Sequence, residues 1–333
     1  MAIEVNDQDE GEFVSTGQLP AATDARALID AAYERYRGLA DGTVANYIPA
    51  LAAANPALFG LSVVSARGDI HSVGDALYPF TIQSISKAFV FALVLEAIGP
   101  DDARSRLGVN STGLPFNSVM AIELQPDRTT NPMVNSGAMA TTSLVPGATA
   151  DAKWEHVRAG LSAFAGRELT MDNEVYASEA AANQRNEGMA HLMFSYERMW
   201  FDPDETTDIY TRQCSLLVTA QDLATMGATL ANGGVNPVTG ARVLARDNCR
   251  CVLAVMMTSG LYENSGEWLY EIGLPGKSGV GGGIVTVSPG KGGLGTFSPL
   301  LDEAGNSVRG RLATAYLSRK LGINLLVSKP AIE

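Results

Sequence analysis

The stretch Tyr78-Pro79-Phe80-Thr81-Ile82-Gln83-Ser84-Ile85-Ser86-Lys87-Ala88-Phe89-Val90-Phe91-Ala92-Leu93-Val94-Leu95 constrains the fold more than any other. Phe80, Ile85, Ala88, Phe89, Ala92 and Leu95 recur largely at three- and four-residue spacing, which predicts a buried helix capped by Thr81 after Pro79. Within that apolar pattern Ser84 and Lys87 stand three apart and share a face. A buried ammonium is costly unless it is paired or loses its proton, and a neutral lysine is a base. Ser84 is therefore a candidate nucleophile. In the first turn of a helix it would also lie beside backbone N–H groups that lack intrahelical partners and can face a developing oxyanion. Ser-x-x-Lys by itself is a weak signal, because the two residues fall at this spacing in many helices that simply carry a polar stripe.

Composition removes several classes of function. The 333 residues, 46% hydrophobic and 18% charged, are enough for a large core and about two domains. A formal net charge of −12 with no basic cluster argues against nucleic acid as a partner. Cys214, Cys249 and Cys251 make neither a disulfide framework nor a C-x-x-C signature, and His71, His156 and His191 are scattered, so neither metal nor cofactor is expected. Residues 1–22 are polar and acidic without an apolar core, and no run approaches membrane-spanning length; the expectation is a cytoplasmic protein with no membrane partner.

Along the chain, Thr23–Leu39 reads as an amphipathic helix, and Phe59–Ser65 with Ile70–Val73 as a hairpin. Met133–Leu144, Trp154–Ala165, Ser178–Met199 and Asp204–Leu216 read as helices, followed by Ala220–Asn232 and Ala245–Thr258, which end at Gly233-Gly234 and Gly260. Nine of the 34 glycines fall between Gly276 and Gly295, interleaved with Ile284–Val287 and Leu294–Phe297, which predicts antiparallel strands approached closely by another backbone or a ligand. Ser307–Leu321 reads as a helix and Ile323–Val327 as a final strand. The expected class is α+β, an antiparallel sheet flanked by helices with a helical insertion domain. In residue terms, 1–22 is a flexible tail, 23–82 and 217–333 form one discontinuous sheet domain, and 83–216 is a helical domain carrying the Ser-x-x-Lys helix.

Ordered motifs carry a resemblance. Tyr47-Ile48-Pro49, Gln83-Ser84-Ile85-Ser86-Lys87, Asn131–Ala138, Ser178-Glu179 with Arg185-Asn186, Tyr210 with Cys214-Ser215, Leu230–Gly234, Ser259–Tyr262, Gly273–Val280 and Gly305–Val308 together resemble the serine-dependent glutaminases, which share the β-lactamase/transpeptidase-like (penicillin-binding-protein) fold. The resemblance implies Ser84 as nucleophile, with Lys87 and Tyr262 in proton transfer and the order between those two open. It implies the Val280 N–H as second oxyanion donor, Asn135 for the substrate α-carboxylate, Glu179 for its α-ammonium, Asn186 for the head group, and Tyr47, Gln83 and Tyr210 in the binding pocket. From residue type alone, Glu179 beside Ser178 reads as a helix cap, and the three tyrosines as core or interface residues. Gly276-Lys277-Ser278-Gly279 is not a phosphate loop, because position 271 is Glu where that motif needs Gly.

The implied activity is hydrolysis of L-glutamine through a glutamyl ester on Ser84, by a homodimer or homotetramer. Two alternatives share the motifs: a β-lactamase-like serine hydrolase or amidase, and a non-catalytic amino-acid-binding protein on the same fold. The first acts outside the cytoplasm. The second has no use for Ser84, Lys87 and Tyr262 together.

Overall fold

The computed structural model describes residues 22–46 and 48–327; the tail expected over 1–22 falls almost wholly outside them, as does Tyr47. Strands β1 (Gly60–Ser65) and β2 (Ile70–Gly74) form the expected hairpin. A two-residue pair follows, β3 (Phe80–Thr81) with β4 (Leu217–Val218), and then β5 (Gly276–Ser278), β6 (Gly283–Ser288) and β7 (Gly292–Phe297). The main sheet has the order β2-β1-β7-β6-β5, every pair antiparallel, so early and late segments of the chain share one sheet.

The glycines of β7 explain how one face is covered. A Cβ at Gly295 would lie 1.9 Å from the Ala220 carbonyl oxygen, and one at Gly293 2.2 Å from that of Ala224, so the helix Ala220–Ala231 rests its backbone directly on the strand. That helix is fixed at its start by a capping box between Thr219 and Asp222. Helices Ala22–Tyr36 and Val308–Lys320 cover the opposite face through a cluster that includes Ile29, Leu61, Ile284, Leu294 and Leu317.

Between β2 and β5 runs the helical part, centred on the helix Ser86–Ile98, whose residues from Ser86 to Leu95 are all buried. A helix apolar all round is stable only inside a core. Phe89 and Phe91 are each 1% exposed or less. Burial of each such side chain contributes roughly 1.5–3 kcal/mol, which helps offset the cost of enclosing Lys87. The helix stops at Gly99, φ 82°, followed by Pro100.

Three expectations are corrected. Thr81 does not cap the central helix: it pairs with Leu217 in the β3–β4 ladder, and the chain turns at Gln83, φ 52°, through a short 3₁₀ turn, Gln83–Ile85, before the helix begins at Ser86. Ser178–Met199 is two helices, Asn173–Ala180 and Gln184–Ser195, because Asn183 leaves helical geometry and its side chain bonds Thr211 and Asn186 instead. Glu179 is thus in the last turn of the first helix, whose cap is Asp172, and Asn186 belongs to the next helix. Ile323–Val327 forms no strand; it turns back so that the Leu325 N–H reaches the Gly273 carbonyl at 3.1 Å.

Candidate active site

Where the sheet meets the helical part, a cleft of about 640 Å³ opens over the turn Gln83–Ile85. Ser84, 8% exposed, lines it. The turn is held from behind by the loop after β5, where a Cβ at Gly279 would sit 2.8 Å from the Ile82 carbonyl and one at Gly281 2.5 Å from that of Thr81. Only a chain without side chains at these positions can approach the turn so closely, and that brings Val280, also a cleft residue, beside Ser84. Gln83 in the left-handed region is strained for a residue with a Cβ, a cost of order 1–3 kcal/mol tolerated where the surroundings fix it.

Lys87 lies one turn along, 1% exposed. Its Nζ donates to Asn135 Oδ1 at 2.7 Å and to the Met133 carbonyl at 3.4 Å, with the Phe116 and Tyr210 rings 5.9 Å away. Burial lowers its pKa to about 7, against a small opposing effect of Cys214.

The Ser84 and Ser278 side chains sit near the Tyr262 phenol and act to lower its pKa, and the phenol donates to the Ser278 carbonyl at 3.4 Å. Burial raises the phenol to about 12 in spite of both contacts. Tyr262 is itself left-handed, φ 58°, wedged between the Phe116 ring at 4.8 Å and Lys277 Nζ at 4.2 Å from its centroid. Lys277 donates to the carbonyls of Gly260 and Ser278 at 2.9 and 2.8 Å, so it serves the backbone around Tyr262.

The cleft also carries a relay of amides. Asn135, at the start of the helix Asn135–Ser143, accepts from Lys87 and from the Tyr210 hydroxyl at 3.2 Å and donates to Asn186 at 3.0 Å. Asn186 donates to Asn183 at 2.7 Å, and Asn183 to Thr211 at 2.8 Å. Glu179 accepts a hydrogen bond from Gln83, whose amide also donates to Thr81 Oγ1 at 3.2 Å. Desolvation raises Glu179 to about 7, the Gln83 bond opposing it. Its position at a helix C-terminus, where the dipole disfavours an anion, gives it no local stability. A cap would sit at the other end.

The structure therefore brings Gln83, Ser84, Lys87, Asn135, Glu179, Asn186, Tyr210, Tyr262 and Val280 into one region, while Tyr47 lies outside the described residues. Sequence reasoning missed Ile48, Phe116, Asn183 and the Cys214 thiol, all of which line the cleft. Phe116 was signalled by being an aromatic residue in a glycine- and proline-bearing loop, and Ile48 and Cys214 by lying inside motifs that carry the resemblance; nothing local marks Asn183. Among the described residues no group of three or more His, Cys, Asp and Glu is arranged to hold a metal ion, and no helix is long and apolar enough to cross a membrane.

The sequence profile of the glutaminase family matches residues 42–326. Glutaminase 2 of Yersinia pestis is 59% identical over 322 residues, 97% of this chain and 95% of that protein. A glutaminase of Brucella canis is 52% identical over 292 residues, covering 88% and 92%. Among solved structures, the probable glutaminase ybaS superposes with a TM-score of 0.91 at 44% identity, over 93% of this chain and all of that one (100%). Mglu in its glutamate form does so with a TM-score of 0.85 at 39% identity, over 90% of this chain and 69% of that one.

Proposed function

The chain belongs to the glutaminase family, and from that premise we propose that it hydrolyses free L-glutamine to L-glutamate and ammonia through a glutamyl ester on Ser84. It is an enzyme, a glutaminase, on the β-lactamase-like fold of its structural neighbours. The observation that carries the finer reading is the lining of the cleft, which gathers Ser84, Glu179, Asn135 and Asn186 around one space. The existence of a glutamate form of Mglu supports an amino-acid ligand.

In this reading Glu179 meets the α-ammonium and Asn135 with Asn186 the α-carboxylate, which places the side-chain amide over Ser84. Lys87, neutral at its lowered pKa, takes the Ser84 proton as Oγ bonds to the amide carbon. The oxyanion receives hydrogen bonds from the backbone N–H groups of Ser84 and Val280. Tyr262, kept protonated by its raised pKa, passes its proton to the departing nitrogen and is reprotonated from Lys87, so ammonia leaves and the ester remains. Water then attacks the ester along the reverse path and frees glutamate and Ser84. Gln83 and Tyr210 hold Glu179 and Asn135 in orientation. The test is ammonia release from L-glutamine by the wild type and by Ser84→Ala, with glutamine binding measured in parallel; turnover by the variant overturns the reading.

A further inference from the structure

We propose that Arg309 is a positioning residue for glutamine: its guanidinium clasps both feet of the segment 37–58, which puts Ile48 into the cleft.

Arg309 is 1% exposed, yet its fork is spread over neutral oxygens. Nη1 donates to the Arg37 carbonyl at 3.2 Å and the Ala57 carbonyl at 3.4 Å, Nη2 to those of Pro56 and Leu58, the latter at 3.1 Å, and Nε to Ser298 Oγ at 2.8 Å. Arg37 follows the helix Ala22–Tyr36, and Leu58 precedes β1. One planar group therefore joins two points of the chain between which the whole segment loops out, a task that suits guanidinium and not a single ammonium. The segment has little to hold it otherwise. Among its described residues only Ala45 and Ile48 are buried, and they pack on Val280 and Leu301. Thr43 exchanges backbone bonds with Leu301 at 3.0 and 2.8 Å.

What the segment touches is the site. Ile48 lines the cleft, and the short helix Pro49–Ala52 packs on the helix Asn173–Ala180 that carries Glu179. Loosening the clasp frees Ile48 in the cleft and leaves Ser84, Lys87 and Tyr262 untouched. The consequence is weaker binding with preserved chemistry.

This inference rests on the glutaminase reading, and the full-length wild type, assayed alongside, separates the two: no ammonia from the wild type overturns the function, whereas the split below tests Arg309. Arg309→Lys keeps the charge and loses the fork; KM for L-glutamine is expected to rise about tenfold with kcat within about twofold. Arg309→Ala should show the same rise, lowered again by millimolar guanidinium that leaves the wild-type KM unchanged. If the Arg309 variants do not fold, Ser298→Ala, which removes one acceptor, should raise KM about threefold at unchanged kcat. A purely structural arginine predicts lower thermal stability with KM unmoved in every variant that folds, and that result overturns the proposal. So does an equal fall in kcat.

Discussion

Lys87 Nζ lies 2.7 Å from Asn135 Oδ1 and 3.4 Å from the Met133 carbonyl, so the two N–H bonds of a neutral amine are both occupied and its lone pair is left over. A side chain placed to donate twice and accept once fits a base whose pKa has fallen to about 7. The same bond joins Lys87 to the amide relay, of which Asn135 is the first member, so on the proposed reading it would tie proton transfer to substrate recognition.

The pH dependence follows. Lys87 must be neutral to accept the Ser84 proton, so kcat should fall below an apparent pKa near 7, with unit slope. Glu179 must be ionised to meet the α-ammonium and also titrates near 7 in the free enzyme, so kcat/KM should fall more steeply on the acid side, with a slope near 2. Profiles of both parameters check this; equal slopes would remove Glu179 from the binding step.

Removing either group should cost activity and raise stability. Lys87 is lowered from 10.5 to about 7, so its penalty is absent above 10.5 and grows as pH falls toward 7; Lys87→Met should therefore raise Tm increasingly across that window. Glu179 is raised from 4.5 to about 7, so its penalty is absent below 4.5 and grows as pH rises toward 7; Glu179→Gln should raise Tm over that lower window. Thermal unfolding at a series of pH values reads both, and a fall in Tm for either variant at pH 7 would contradict the account.

Tyr262→Phe removes one hydroxyl and leaves the ring between Phe116 and Lys277. A loss of roughly 10²–10⁴ in kcat with KM and Tm little changed is expected for a group that relays the proton. Near-wild-type kcat would mean that Lys87 alone serves both steps.

Much of this site was legible in the chain, for identifiable reasons. Ser84 and Lys87 stood out because polar residues in an apolar helix are expensive, and the glycines after Gly276 because only close backbone approach explains them; that approach and the burial of Lys87 in the helix occur as read, while Ser84 falls in the 3₁₀ turn just before it. The misreadings came from partners far along the chain. Thr81 looks like a cap until Leu217 is beside it, and Ala180-Ala181-Ala182 looks helical until Asn183 is seen bonding Thr211. The wedge of Phe116, Tyr262 and Lys277 joins three segments that no local pattern links.

On the proposed reading, selectivity for a free amino acid rests on Glu179 and Asn135. Each charge-assisted contact is worth on the order of 1.5–3 kcal/mol, roughly ten- to a hundredfold in affinity. N-acetyl-glutamine and peptide-bound glutamine should be turned over far more slowly than L-glutamine, and Glu179→Gln should erode that preference. Asparagine, one methylene shorter, should leave its amide carbon short of Ser84 and react poorly. Steady-state kcat/KM across these substrates measures it. Equal rates on free and N-acetylated glutamine would make the carboxylate a structural group.

The central claim is that Ser84 forms the covalent bond, and the cleft offers a competitor, the Cys214 thiol, which burial raises to about 12 and so keeps neutral and unreactive. Labelling with an electrophilic diazoketone analogue of glutamine, followed by peptide mapping, distinguishes them directly. The account predicts one label per chain on Ser84, blocked by excess glutamate and absent from Ser84→Ala. A label on Cys214 with Ser84 unmodified would contradict it.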